Sequence, residues 1–285
     1  MKAKSNFIIA MLIFGSIGLL VRKIPLKSSQ ISLVRGGVGC FSLLCMSWFS
    51  GNKLSWKKIK PNLLLLFIAG VAIGLNWIFL FESYKYTSIS NATLSYYFAP
   101  IFVMFLSPFI LKEKLRWYKV LSILIAMLGM FLIVDSGLDE GINQSHMIGI
   151  SYGLLAAILY ASVILINKFL KNLSGLETTT IQLFIAFIVL LPYVLIMDPI
   201  QISQLGGCSV LYLLILGLLH TGFAYYLYFS SMKKLKGQTI AVYSYIDPLT
   251  AILMSAIVLG ETMMPWQIAG AIMILGASTV NVLDN

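Results

Sequence analysis

Residues 243–261 read YSYIDPLTAILMSAIVLGE, and residues 95–113 read SYYFAPIFVMFLSPFILKE. Laid over one another at a shift of 148, they share Tyr97/Tyr245, Pro100/Pro248, Ser107/Ser255, Leu111/Leu259 and Glu113/Glu261. The register continues without gaps over Gly74–Glu113 against Gly222–Glu261, with nine identities in 40 positions. The proline and charged matches carry most of the weight, because apolar segments resemble each other by composition. A shift of 146 pairs Phe14 with Tyr160, Ser16 with Ser162 and Arg22 with Lys168 near the start of each half. The chain therefore reads as an internal duplication, with a first repeat over residues 1–140 and a second over 146–285.

Each unit consists of long apolar stretches. The 285 residues are 59% hydrophobic and 11% charged, with a mean hydropathy of +0.93. Soluble domains run about 45–50% apolar and about 25% charged, so this composition excludes a soluble enzyme, a secreted domain and a disordered chain. A membrane span needs about 20 mostly apolar residues. Ten stretches qualify: 6–22, 29–50, 61–83, 88–111, 117–135, 148–167, 178–197, 209–231, 238–260 and 266–283. The expected fold is an all-α polytopic membrane protein with ten transmembrane helices, since a helix satisfies its own backbone in lipid. The first stretch, behind Lys2 and Lys4, reads as a helix and not as a signal peptide. It is followed by Arg22 and Lys23, with no small-residue cleavage pattern. Cys40, Cys45 and Cys208 match no metal or redox spacing and read as packing residues.

Five helices per repeat is an odd number, so the second copy must enter the membrane upside down, giving two inverted five-helix repeats. The charges agree. The loop after the fourth stretch carries Lys112, Lys114 and Arg116, while its counterpart after the ninth has no cation, only Glu261. The loop before the fourth has Lys85; its counterpart before the ninth has Lys233, Lys234 and Lys236. With the N-terminus inside, fifteen cations fall on the inner face and four outside, with Arg35 inside a span. This positive-inside bias places both termini in the cytoplasm and the chain in the plasma (inner) membrane. The net charge of +10 then points to anionic membrane lipids as partners, not to nucleic acid. Asp135, Asp139 and Glu140, in the longest connector, read as a solvated outer loop.

The pattern of ten helices in two halves resembles the EamA group of the drug/metabolite transporter superfamily. The fourth and ninth helices each carry a proline and end in Leu-x-Glu (Leu111-Lys112-Glu113 and Leu259-Gly260-Glu261), and an aromatic-led helix follows (Trp117, Trp266). The resemblance implies a carrier of small metabolites, often an exporter, with a cavity between the halves lined by helices 3, 4, 8 and 9 and helped by 1 and 6. Inverted repeats of this kind move substrate by alternating access to a midplane site.

Asp247 is the sharpest chemical feature. It lies about nine residues into the ninth helix, roughly 14 Å from its inner end by helical rise. An aspartate at a helix centre costs about 2.5–3.5 kcal/mol on insertion scales, and such residues mark ion or substrate pathways. It reads as a proton or substrate-amine site, or as a structural partner of Arg35. Arg35 is expected to snorkel, to neutralise Asp247 or to hold a substrate carboxylate. His220 is a candidate proton relay or a hydrogen-bonded core residue. Asn76 and Trp77 correspond to Ala224 and Tyr225 across the repeat and are expected to face one cavity. Tyr96, Tyr97 and Tyr243, near the two prolines, would complete an aromatic box around one anion, with Tyr243 one turn before Asp247 on the same face. Glu113 and Glu261 are expected to tie tight turns to adjacent helix N-termini. Gly70-x-x-x-Gly74 and Gly149-x-x-x-Gly153 are expected to permit close helix packing within the bundle, and Gly36, Gly37 and Gly39 to let the second helix pack closely.

The expected function is thus secondary transport, as an exporter, of a small-molecule substrate such as an amino acid or amphipathic compound, with protons as the candidate coupling ion. A multidrug exporter or lipid flippase of the same fold is the alternative. A membrane-embedded enzyme is disfavoured: no HExxH or CxxC is present, no catalytic residues are assigned, and neither cofactor nor metal is expected.

Overall fold

The computed structural model describes residues 2–49, 54–87, 89–114, 116–133, 144–199, 206–259 and 264–283. Every described apolar stretch is helical, and no strand occurs among these residues. Eight helices are long and apolar enough to cross a membrane: α1 (Lys2–Val21), α2 (Ser28–Phe49), α3 (Trp56–Tyr86), α4 (Ala92–Ile110), α6 (Gln144–Asn167), α7 (Gly175–Met197), α8 (Gly207–Met232) and α9 (Gly237–Val258). Two shorter helices, α5 (Trp117–Ile133) and α10 (Pro265–Leu283), fill the other two expected places. The connector with Asp135, Asp139 and Glu140 lies outside the described residues, as does Glu261.

Five of these helices are interrupted, α3 by a 3₁₀ turn at Lys60–Asn62 that holds a proline. Helix α4 consists of Ile89–Tyr96 and Ala99–Ile110, and α9 of Gly237–Tyr243 and Ile246–Leu259. Pro100 and Pro248 sit just inside the second pieces. Proline has no N–H and clashes with the carbonyl four residues back, which is that of Tyr96 in one helix and Ser244 in the other. The breaks thus fall at equivalent places in the duplicated sequence. Helix α1 pauses at Ser16, and α8 carries a π-helical turn over Leu216–Phe223. Such turns are rare and concentrate at functional sites.

The packing partners interchange under the numbering of the duplication. Helix α3 packs on α6 and α7, and α8 packs on α1 and α2. Helix α4 lies against α6, and α9 against α1. Helices α2 and α7, α4 and α9, and α5 and α10 pack as like pairs. Small residues allow the close approaches. A Cβ on Gly74 would stand 2.8 Å from Val189 Cβ, and one on Gly70 2.6 Å from Ile185 Cβ, so α3 meets α7 nearly backbone to side-chain stem. On α6, a Cβ at Gly153 would come within 2.7 Å of Ser95 Cβ on α4. Both small-residue motifs thus serve contacts within the bundle. The outward surface is apolar, with Phe49, Phe109 and Ile257 each about four-fifths or more exposed, as a lipid-facing shell requires.

Turn chemistry fixes the end of α4. Lys112 adopts a left-handed φ of 55° and the Leu111 and Glu113 amides both reach back to the Ser107 carbonyl at 2.9 and 3.5 Å. This is the glycine-type helix stop, and glycine occupies the equivalent place at 260. The turn aims Glu113 at the start of α9, where its carboxylate accepts from the amides of Gly237 (2.9 Å) and Gln238 (3.4 Å). The expected helix-end tie is therefore present for Glu113.

Candidate functional site

The site lies where α1, α3, α4, α6, α8 and α9 converge. A cavity of about 30 Å³ is lined by Phe14, Asn76, Trp77, Tyr96, Tyr160, Tyr225 and Tyr228, among others. A second of about 30 Å³ is lined by Met11, Tyr96, Tyr97, Ala99, Pro100, Tyr160, Ser244 and Asp247. Tyr96 and Tyr160 form the shared wall. Both cavities are small, and each is lined by residues from both halves of the chain.

The walls come in equivalent pairs. Phe14 and Tyr160 correspond at the shift of 146, and Trp77 and Tyr225, Tyr96 and Ser244, and Ala99 and Asp247 at the shift of 148. Tyr97 and Tyr245, another such pair, touch directly. Their ring centroids are 6.3 Å apart, and the Tyr245 hydroxyl donates to the Tyr97 carbonyl at 3.0 Å.

Aromatic rings run continuously from one charged residue to the other. The Arg35 guanidinium lies 5.1 Å from the Trp77 ring centroid, within cation–π range. Trp77 meets Tyr225 edge-on at 6.4 Å, and Tyr225 lies 6.4 Å from Tyr228. The hydroxyls of Tyr228 and Tyr160 are 2.5 Å apart. Tyr160 neighbours Tyr96 at 5.7 Å, and Tyr96 neighbours Tyr97 at 5.8 Å. At the far end, Tyr97 and Asp247 line the same cavity. Asp247 sits in the first turn of Ile246–Leu259, where the positive end of a 14-residue helix favours a carboxylate. No ion pair to Asp247 occurs among the described residues.

The remaining expected residues take other places. Arg35 does not pair with Asp247; it stacks on Trp77, with Nε buried and without a hydrogen bond. Asn76 lines the cavity while donating to the Ala156 carbonyl at 2.6 Å, which ties α3 to α6. Tyr243 does not share a face with Asp247. The break at Ser244–Tyr245 separates them, Tyr243 packs 6.4 Å from Phe7, and its hydroxyl is buried without a partner. His220 lies in the π turn, its Nε2 3.0 Å from Ser16 Oγ at the pause in α1. Ser16 Oγ also lies 2.8 Å from the Ile13 carbonyl, and His220 Nδ1 3.4 Å from the Ile215 carbonyl. His220 lines neither cavity. Cys208, expected to pack, is exposed at the start of α8.

Sequence reasoning missed Tyr160 and Tyr228. Only the pairing of Phe14 with Tyr160 across the repeat pointed toward them.

Polar ties close both ends of the bundle around this site. At the end where α2 begins and α7 stops, Lys27 Nζ is 2.5 Å from Asp198 Oδ1 and Ser29 Oγ donates to Oδ2 at 2.6 Å. Gln30 donates to the Asp198 and Pro199 carbonyls at 3.1 and 2.9 Å. Burial alone would raise the Asp198 carboxyl, but Lys27 and Ser29 outweigh it and hold it below the usual aspartate value. Nearby, Tyr193 donates to Glu82, and Lys85 reaches both. At the opposite end, Asn62 exchanges two 2.9 Å hydrogen bonds with the Lys171 backbone, Lys233 donates to the Leu173 carbonyl at 2.7 Å, and Glu113 binds the start of α9. Burial pushes the Lys168 ammonium down to about 8, against the upward pull of Glu113.

An all-helical bundle of this apolarity, closed around a polar pocket, is a polytopic membrane protein. Comparison with known proteins supplies the family. The model of the EamA-like transporter family matches twice, over residues 2–135 and 147–283. The uncharacterized transporter YxxF of Bacillus subtilis (strain 168) is 32% identical over 98% of this chain and 88% of its own length. A Salmonella typhimurium (strain LT2) protein, named a "Probable amino-acid metabolite efflux pump", is 25% identical over 79% of this chain and 78% of its own. One crystal structure superposes with a TM-score of 0.85 at 17% identity, covering 99% of this chain and 97% of the other, which shows a shared fold. The chain belongs to the EamA-like transporter family.

Proposed function

We propose that the chain is a secondary exporter of a small zwitterionic or amphipathic metabolite, of the amino-acid class, working by alternating access between two inverted five-helix repeats. In this reading α5 and α10 complete ten spans, and both termini lie in the cytoplasm. The interchange of packing partners and the paired cavity walls support the two-repeat arrangement. The double family match over 2–135 and 147–283 supports its boundaries.

The observation that carries the functional reading is the aromatic file between Arg35 and Asp247. A substrate amine, or a proton, would take Asp247; a substrate carboxylate would approach Arg35; Trp77, Tyr96, Tyr160 and Tyr225 would face the rest. A carboxylate without an ion-pair partner, in a cavity rather than in lipid, is placed to exchange its charge for that of a substrate. The printed name of the Salmonella relative, an amino-acid metabolite efflux pump, supports the substrate class. The enclosed, tyrosine-walled cavity fits this reading better than a flippase, which needs a wide greasy opening toward lipid.

The test is transport in proteoliposomes with and without a pH gradient, using wild type, Asp247→Asn and Arg35→Gln. The gradient is expected to stimulate wild-type flux of amino acids, Asp247→Asn to lose that stimulation, and Arg35→Gln to raise KM for substrates with a carboxylate. Flux through Asp247→Asn that follows the wild-type pH profile would remove Asp247 from the mechanism.

A further inference from the structure

A larger hollow lies away from the two tyrosine cavities, at the end of the bundle that carries the N-terminus. It has a volume of about 250 Å³ and is lined by Lys4, Arg116, Lys119, Lys234, Leu235, Lys236 and Thr239. Five of its seven lining residues are cationic, and none is acidic.

The hollow is built from separate parts of the fold. Lys4 stands in the first turn of α1, Arg116 precedes α5 and Lys119 lies in its first turn. Lys234 and Lys236 occupy the turn between α8 and α9, and Thr239 the first turn of α9. Lys119 is buried, 3% exposed, with Nζ 3.4 Å from Thr239 Oγ1. Lys234 and Lys236 are exposed at the rim. Arg116 bonds the Tyr118 hydroxyl at 2.6 Å, and Trp117 beside it is 76% exposed. A tryptophan so exposed at a helix end sits at the headgroup level of a bilayer.

Cations held around a concave surface focus a positive potential inside it. The group that best uses several converging ammonium and guanidinium donors is a phosphate, whose oxygens accept from more than one cation at once. We propose that this hollow is a binding site for a phosphate group, presented by an anionic phospholipid head or by a soluble phosphate ester. Because its walls come from α1 and α5 on one side and from the α8–α9 turn on the other, an occupant links the two parts of the chain that the transport reading requires to separate. The site itself does not depend on that reading.

The experiment uses the full-length protein in detergent. Thermal unfolding and binding are followed while adding phosphatidylglycerol, phosphatidylcholine, glycerol phosphate or inorganic phosphate. The variants are Lys234→Gln/Lys236→Gln, Arg116→Gln and, as a charge-matched control at the same end of the bundle, Lys57→Gln/Lys58→Gln. Phosphatidylglycerol is expected to stabilise and phosphatidylcholine not. The Lys234/Lys236 pair is expected to weaken binding by about twenty-five-fold, roughly fivefold per cation, with the control near wild type. Stabilisation by phosphatidylglycerol alone assigns a lipid head; equal stabilisation by glycerol phosphate assigns a soluble ester. The exposed rim variants avoid the folding risk of changing Lys119. The proposal fails if none of the net-anionic phosphate probes binds more tightly than zwitterionic phosphatidylcholine, or if Lys57→Gln/Lys58→Gln weakens binding as much as the rim pair, since the attraction would then be general surface charge.

Discussion

Replacing Glu113 should separate a structural tie from a bystander charge. Its carboxylate accepts from the Gly237 amide at 2.9 Å and more weakly from Gln238 at 3.4 Å, and both donors belong to buried residues. Losing a helix-start acceptor costs about 0.5–2 kcal/mol, and losing the negative charge at the positive helix end costs about 0.3–1 kcal/mol more. Glu113→Ala is therefore expected to destabilise by about 1–3 kcal/mol, and Glu113→Gln, which keeps one acceptor, by about half as much. In thermal unfolding followed by tryptophan fluorescence this corresponds to a fall of about 2–12 °C for alanine, at roughly 2–4 °C per kcal/mol. A second readout comes from Lys168, whose ammonium feels the pull of Glu113. Removing the acid is expected to move its titration midpoint, measured by pH-dependent acetylation, below its value of about 8. An alanine variant that melts with wild type, or one less perturbed than glutamine, would refute the assigned role.

Four further outcomes follow from the same geometry. Lys112→Gly is expected to stabilise by about 0.5–1 kcal/mol, because Lys112 already has φ 55° and glycine takes that backbone without strain; a loss of stability on melting would contradict this. Gly74→Val should cost at least about 1–3 kcal/mol by forcing overlap with Val189, whereas Gly276→Ala, with nothing within 4 Å of the new methyl, should be neutral or mildly stabilising; the two melting points decide it. Asp198, held below the usual aspartate value by Lys27 and Ser29, contributes stability that is present above about pH 4 and is lost as pH falls through its folded-state value. Asp198→Asn should therefore melt below wild type at neutral pH, with the two curves converging in acid. The folded-state value of Lys168 lies below that of an unfolded lysine, so its contribution makes stability rise with pH from about 8 toward about 10.5; Lys168→Met should flatten that rise in a pH series of melting temperatures.

Much of the fold was legible because lipid imposes simple rules. Long uncharged stretches had to be helices, and the shared prolines marked where α4 and α9 break. The Leu-x-Glu endings predicted the tie that Glu113 makes. The site was legible only in part. Trp77, Tyr225, Tyr96 and Asp247 line the two cavities, where repeat-equivalent positions converge. Tyr160 and Tyr228 were hidden because apolar residues cover every side of a membrane helix, so periodicity does not reveal which face looks inward. The placement of Tyr243 failed for a definite reason. The one-turn rule assumes a continuous helix, and Pro248 interrupts it at Ser244–Tyr245. The π turn that holds His220 left no mark in the sequence, because one extra residue per turn changes geometry without changing composition.

The π turn of α8 has a consequence for energetics. The corresponding part of α3 winds as an ordinary α-helix, Leu63–Tyr86, so one half contains a widened loop of backbone where the other has none. Histidine and aspartate stand in that same half, opposite Ala72 and Ala99. Under the alternating-access reading proposed above, rocking one way would strain different material from rocking the other way. The two open forms would then be unequal in free energy, and the resting population would lean toward one face before any gradient is applied.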